Sequence, residues 1–398
     1  MGIYLDHAAT TPLRHESLEA MLPYLTEHWG NPSSIHASGR RARQGLDEAR
    51  ETVAAILHAK PREIVFTSGG TEADNLAISG YAWAASSRGR HIITTSVEHK
   101  AVLQACALLE RHGFEITYLP VDGDGLVDPD AVAAAITEHT TLVSVMAANN
   151  EVGTVQPIAE IGNICRSRRI GFHVDAIQAA PFTPIALDGW QADLVSLSAH
   201  KLEGPKGVGA VFVRQGTPLV PLLQGGSQER QRRAGTENVA GAVGFAVAFA
   251  LAADPATQAS EAMRQGSLRD ELLAGLAAIG GVRRTGHPTR RLPNSASVVI
   301  DGIQGGDLVA ACDLEGVEVS TGSACTTGSV EPSHVLLAMG IDADAAAGSL
   351  RVTLGRETTR DEILRALGVI ERCVGRLRNA SGAIRVEQPA TVSGAPSA

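Results

Sequence analysis

Between residues 62 and 215, short β-branched runs alternate with stretches whose apolar positions fall at helical spacing. Residues 63–67 (EIVFT) read as a strand that passes through SGGT into a helix from about Glu72. Residues 91–95 (HIITT) form the next strand, followed by a helix with Val102, Cys106 and Leu109 on one face. The run 115–119 leads through a DGDG turn into a helix with Asp128 placed to cap it and Pro129 at its first position. Further strands are expected at 142–146, 171–174, 194–197 and 208–213. This alternation predicts an α/β fold: a mostly parallel, seven-stranded sheet with helices on both faces. Such sheets hold ligands at the carboxyl ends of their strands.

An alanine-rich helix over 238–252 closes this large domain, 16–255. The remainder, 256–378, has its own pattern: a helix at 257–278, a strand at 296–300 and a helix at 306–314. After these come the loop STGSACTTG, a strand at 350–354 and a last helix from about Arg360. We read it as a smaller α+β domain. Residues 379–398, rich in Ala, Pro, Ser and Gly without periodicity, are expected to form a disordered tail.

At 398 residues the chain is long enough for a large core, and 44% hydrophobic with 19% charged is ordinary globular composition. A net charge of −9 argues against a nucleic-acid or anionic-membrane binder. The five cysteines (Cys106, Cys165, Cys312, Cys325, Cys373) are scattered and never spaced as C-x-x-C, unlike a disulfide framework or a zinc site. No signal-peptide pattern opens the chain, and no apolar run approaches the roughly 20 residues of a spanning helix. The expected setting is a reducing cytoplasm.

Chemistry concentrates at strand ends. In SLSAHKLEGPKG a strand delivers Ser198, His200 and Lys201 into a glycine-rich turn. A lysine placed there in an apolar surround is a candidate Schiff-base former, and a surface lysine is the plainer alternative. In FHVDAIQ, Asp175 is placed to pair with a protonated ring nitrogen or to cap a helix, with Gln178 three residues on. In TSGGTEADN, Gly70 and Thr71 stand before a helix, as a phosphate cradle requires. Finally, STGSACTTG sets Cys325 among residues too small to pack, which predicts an exposed, mobile loop over 320–330.

Taken together and in order, these motifs resemble the cysteine desulfurases of the NifS/IscS type, which are fold-type I, class V aminotransferase-like pyridoxal phosphate enzymes. The likeness runs from YLDHAATTP (4–12) through GNPSSIH, TSVEHKAV, NNEVGTVQPI, RAGTEN and EPSHVL to SLRVTLGRETT, about nine-tenths of the chain. It implies that residues 1–15 join the small domain. It further implies that Lys201 holds the pyridoxal 5'-phosphate covalently and moves protons, that Asp175 pairs the ring nitrogen, and that Gln178 donates to the phenolic oxygen. His99 would stack on the ring, while Gly70, Thr71, Ser198 and His200 would hold the phosphate. Thr236 would reach the cofactor of a second subunit, implying a homodimer. Arg351, helped by Asn150, would clamp the carboxylate of L-cysteine. Cys325 would attack the substrate sulfur, with His99 taking the thiol proton, and pass it as a persulfide to an acceptor protein. No resident metal is implied; Cys325 is at most a transient iron–sulfur ligand.

Two features depart from the family pattern. Glu203 stands where an aromatic or neutral residue is usual, and the low-complexity tail leaves the acceptor open: iron–sulfur assembly, tRNA thiolation or DNA phosphorothioation. A related lyase or aminotransferase, and a non-catalytic sulfur carrier, are the competing readings. Cys325 argues against the first, and the set Lys201, Asp175, His99 and Arg351 against the second.

Overall fold

The computed structural model describes residues 2–322 and 332–386. Cys325 and most of the STGSACTTG loop lie outside the described residues, and so does the expectation that 320–330 is mobile.

The strands, in chain order, are β1 (Ile3–Tyr4), β2 (Ile64–Thr67), β3 (His91–Thr95), β4 (Glu115–Leu119), β5 (Thr140–Met146), β6 (Gly171–Asp175), β7 (Leu194–Ser198) and β8 (Gly209–Val213). They continue with β9 (Val282–Arg284), β10 (Ser295–Ile300), β11 (Val317–Glu318) and β12 (Ser349–Thr353). A seven-stranded sheet has the order β2-β8-β7-β6-β5-β3-β4. Its strands are parallel except β8, which runs antiparallel to both β2 and β7. Because β8 reverses direction between them, β2 and β7 point the same way. The carboxyl ends of β2, β7, β6, β5 and β3 therefore share one edge, where the chemistry-bearing motifs were expected.

β5 to β8 are buried along their whole length, as strands covered on both faces must be. Helix Lys100–Arg111 buries Val102, Cys106 and Leu109, the face its spacing predicts. Helix Pro129–Ala135 begins at Pro129, and the Asp128 side chain accepts from the Asp130 N–H. Helices His15–Thr26 and Ala37–Ile56 both pack on Val239–Ala252. The first two are not apparent from periodicity. In the second, charged residues and small buried ones (Ala42, Gly45, Ala49) dilute the apolar stripe.

A second core surrounds β12-β10-β9, an antiparallel three-stranded sheet, with helices Pro255–Ala278, Gly305–Leu314 and Arg360–Val386 against it. β1 adds parallel to β11, so the N-terminal segment is built into this second unit. From there the chain crosses to the large sheet through residues 6–11. The last helix runs to Val386, past the boundary of 378 read from the sequence. Among the described residues, no single helix is long and apolar enough to cross a membrane.

Candidate active site

A cavity of about 400 Å³ opens at the shared strand edge. Gly70, Thr71, Asp74, His99, Asn150, Asp175, Gln178, Ser198, His200, Lys201 and Arg351 all line it, with Ala8 and Ala9 as the facing wall. Every described residue given a catalytic, cofactor or substrate role in the sequence reading is there except Thr236, which is exposed and is not part of this lining.

The sheet explains the gathering. β2 ends at Thr67, and Gly69, at φ 151°, turns the chain into helix Gly70–Asn75. A side chain at Gly70 would run into Ile177 Cδ1 at 2.3 Å and would have to displace it. Across from it, β7 ends at Ser198, whose buried Oγ has no hydrogen-bond partner. An orphaned hydroxyl beside a glycine turn, with Thr71 and His200 nearby, is the donor set an anion such as phosphate requires.

Lys201 closes the 3₁₀ turn after β7. The sequence placed it in an apolar surround. The structure instead puts Nζ against two backbone carbonyls, Ala8 O and Ala9 O, the latter at 2.6 Å. Gln178 Nε2 donates to the same Ala8 carbonyl at 3.0 Å. The N-terminal segment is thus a wall of the site, held by the groups it faces.

Asp175 ends β6 and accepts from the Ile177 N–H at 2.9 Å. No helix follows for Asp175 to cap; its carboxyl pins a turn and lines the cavity. Burial pushes its pKa up to about 6, resisted by the Ile177 N–H and by the positive charge of Lys201.

His99 caps helix Lys100–Arg111 by accepting the Ala101 N–H on Nδ1 at 3.1 Å. Burial, with Lys201, His334 and Lys100 adding repulsion, lowers its pKa to about 4. The ring is neutral at pH 7, and with Nδ1 accepting, its proton resides on Nε2.

Arg351 on β12 reaches the cavity from the second unit. Its Nη2 meets Asp6 Oδ1 at 2.7 Å, and Nη1 donates to the carbonyls of Asn150 and Gly322 at 3.0 and 3.2 Å. Nε is buried without a partner. One edge of the guanidinium is therefore fixed, while Nε–H and the second Nη2 hydrogen stay available to a carboxylate.

Sequence reasoning missed Asp6, the Ala8 and Ala9 carbonyls, and Asp74. The carbonyls carry no side-chain signal. Asp74 had one: it occupies a buried position beside Ala73, Ala77 and Ile78, where helical spacing calls for an apolar residue.

This arrangement of a parallel sheet, a glycine cradle and a strand-end lysine has its counterpart among known proteins. The chain belongs to the aminotransferase class-V family, whose model matches residues 3–365. Its relatives there include cysteine desulfurases of the IscS/NifS type. A cysteine desulfurase IscS of Methanosarcina thermophila is 49% identical over 380 residues, 96% of this chain and 94% of the relative. A solved NifS-like protein matches with a TM-score of 0.89 at 39% identity, over 95% of this chain and 100% of its own. The structure titled SspA in complex with cysteine matches at 0.78 and 36%, over 88% and 98%. The architecture is that of the fold-type I enzymes.

Proposed function

We propose that this chain is a pyridoxal phosphate-dependent cysteine desulfurase that converts L-cysteine to L-alanine and carries the sulfur on Cys325 as a persulfide. The observation that carries this reading is the single cavity shared by Lys201, Asp175, His99, Arg351 and the orphaned Ser198 hydroxyl. These residues fit the cofactor. The Gly70 and Thr71 turn, Ser198 and His200 take its phosphate, Asp175 its ring nitrogen, Gln178 its phenolic oxygen, and Lys201 its aldehyde carbon. When bound, pyridoxal phosphate supplies an electron sink that makes the α-proton of an amino acid acidic and loosens the bond to a β-substituent.

The protein does the rest. Arg351 and Asn150 fix the carboxylate of cysteine, which orients the α-carbon toward Lys201. The Lys201 amine takes the α-proton and returns it on the way to alanine. His99, with Nδ1 held by the Ala101 N–H and its proton on Nε2, is a donor to the bound cofactor and substrate and offers no lone pair for the thiol proton that the resemblance assigned to it. The Cys325 thiolate forms an S–S bond to the substrate sulfur as the carbon–sulfur bond breaks. The electron pair stays on the three-carbon skeleton, which takes up a proton and leaves as alanine. An acceptor protein then receives the sulfur, for iron–sulfur assembly, tRNA thiolation or DNA phosphorothioation.

The active unit is a homodimer. Thr236 is exposed and outside its own cavity, so a role at a phosphate requires a second copy. The exposed apolar side chains of Leu222, Leu223, Trp29 and Ile35 support such a contact.

The test is direct. Purified protein is yellow and releases alanine from cysteine. Cys325→Ser keeps the colour and loses persulfide formation and acceptor labelling. A colourless protein, or sulfide release unaffected by Cys325→Ser, overturns the reading. Labelling of purified acceptors in parallel decides the destination.

A further inference from the structure

Among the ionisable side chains lining the cavity, Asp74 alone has no part in the function proposed above. It is fully buried, and neither carboxyl oxygen makes a hydrogen bond. With the Ser196 hydroxyl as the one neighbouring donor and no bond of good geometry, a buried carboxylate is costly, so either a cation balances it or it keeps its proton. The groups that face it come from three elements. Asp175 and His173 stand on β6, Ser196 on β7, and Glu98 follows β3. The one group among these able to become a cation is His173, whose Nε2 lies 3.7 Å from Asp74 Oδ1. That imidazole is itself fully buried, and both its nitrogens are engaged by hydroxyls, Ser144 Oγ and Ser196 Oγ, each at 2.9 Å. Two hydroxyls are a sufficient environment for a neutral ring and a poor one for an imidazolium.

We propose that Asp74 is a neutral acid at the end of a buried polar row formed with Ser196, His173 and Ser144, and a positioning residue for Asp175. By holding its proton, it leaves Asp175 as the single negative charge behind the cofactor ring. Two ionised carboxylates there would change the proton affinity of the ring nitrogen and of the lysine linkage. Burial and the Asp175 and Glu98 carboxyls push Asp74 well above the usual carboxylate range, against the Ser196 hydroxyl, which favours the ionised form. Burial likewise pushes His173 down, to about 3. The proposal rests on the reading that the cavity holds pyridoxal phosphate with Asp175 at its nitrogen.

Full-length holoenzyme, wild type and Asp74→Asn, is compared by thermal melting from pH 5 to 8 and by pH titration of the visible band of the lysine-bound cofactor. A carboxyl raised in the folded state contributes its stability below its unfolded pKa of about 4, and that contribution is lost as pH rises toward the folded value. Asp74→Asn therefore melts higher than wild type at pH 8, and the gap narrows toward pH 5. The midpoint of the visible titration stays in place, because asparagine reproduces a neutral acid. An ion pair with His173 gives the opposite result. Asp74→Asn then melts lower, most of all near pH 5–6, where the carboxylate is ionised and the imidazole protonated, and the visible midpoint moves by about one pH unit or more. Either outcome overturns the proposal. Should the asparagine variant not fold, Asp74→Ala must show the same sign of pH slope. A wild type without a visible band overturns the cofactor reading, and the melting comparison still decides the state of Asp74.

Discussion

Asp6 Oδ1 lies 2.7 Å from Arg351 Nη2, joining the N-terminal segment to β12 at the edge of the cavity. Arg351 is buried and charged, so it must be matched by groups that remain when substrate is absent. Asp6 and two backbone carbonyls provide the match and also fix the plane of the guanidinium. What remains free is the Nε edge, a two-hydrogen fork aimed at a carboxylate.

This predicts different effects for two conservative changes. Arg351→Lys keeps the charge and loses the fork, and should raise KM for cysteine by about 100-fold, two to three kcal/mol of charge-assisted hydrogen bonding. Asp6→Asn keeps the shape and loosens the anchor, and should raise KM by about tenfold. In both variants kcat should change less than KM. Steady-state kinetics check it, and an equal fall of kcat in both would mean that Arg351 acts on the reacting atoms.

His99 caps its helix and, in the function proposed above, donates a proton; the two roles can be separated. Asparagine can accept the Ala101 N–H as a cap but cannot place a donor where Nε2 sits. His99→Asn should stay within about 0.5 kcal/mol of wild-type stability and lose about 100-fold or more in alanine release. His99→Ala should lose about 1 kcal/mol more through the missing cap. The pH dependence has a definite sign. His99 and His200 each fall to about 4 in the folded chain through burial and nearby lysines. Between about pH 6.5 and 4 the unfolded state binds protons that the folded state refuses, so their contribution to stability falls as pH drops. His99→Asn should flatten the acid side of the melting profile. An unchanged acid limb would show that His99 does not titrate in that window.

Much of this site was legible because its side chains stand at strand ends. The β-branched runs that announce β6 and β7 also announce where Asp175, Ser198 and Lys201 must lie. Other features were hidden for physical reasons. Strand direction leaves no mark on a five-residue apolar run, so the reversal of β8 could not be read. β1, β9 and β11 have two or three residues and no period to detect. The partners of Lys201 are backbone carbonyls nearly two hundred positions away, and backbone atoms have no sequence signature. Asp74 was visible as an acid in an apolar helical position, and only its fully buried place on the cavity wall gives that anomaly a meaning.

Glu203, set apart in the sequence reading as a departure from the family pattern, has a purpose in the geometry. It sits two residues past Lys201 with φ 61°, and its Oε2 takes Arg14 Nη2 at 2.7 Å and Arg356 Nε at 3.0 Å. Arg14 precedes helix His15–Thr26, and Arg356 follows β12. One carboxylate thus ties the lysine turn to both segments that frame it. Glu203→Gln should lower stability by about 1–3 kcal/mol and speed amide hydrogen exchange over residues 8–14. Exchange unchanged there would mean that the bonds of Lys201, Gln178 and Thr11, with β1–β11 pairing, hold the segment without Glu203.

The segment that ends at Thr236 depends on a different ion pair. Glu229, Arg230 and Gln231 all take left-handed backbone, with φ of 47°, 57° and 64°. Three such residues in succession, none of them glycine, cost roughly 1 kcal/mol or more each and persist only if something outside the run holds them. Arg50 does so. Both its terminal nitrogens meet the Glu229 carboxylate at 2.7 Å, and the Phe66 N–H donates to the same group at 3.1 Å. The pair is buried, so removing one partner strands the other charge. Glu229→Ala should cost about 3–5 kcal/mol in urea unfolding. It should also release the left-handed run, so that hydrogen exchange rises across 222–237 before the rest of the chain. In the homodimer proposed above, that stretch, with Thr236 and the exposed Leu222 and Leu223, lies at the subunit contact, so the same variant should shift the equilibrium toward monomer in sedimentation velocity. A Glu229→Ala protein that unfolds earlier yet remains fully dimeric would separate the left-handed run from the subunit contact.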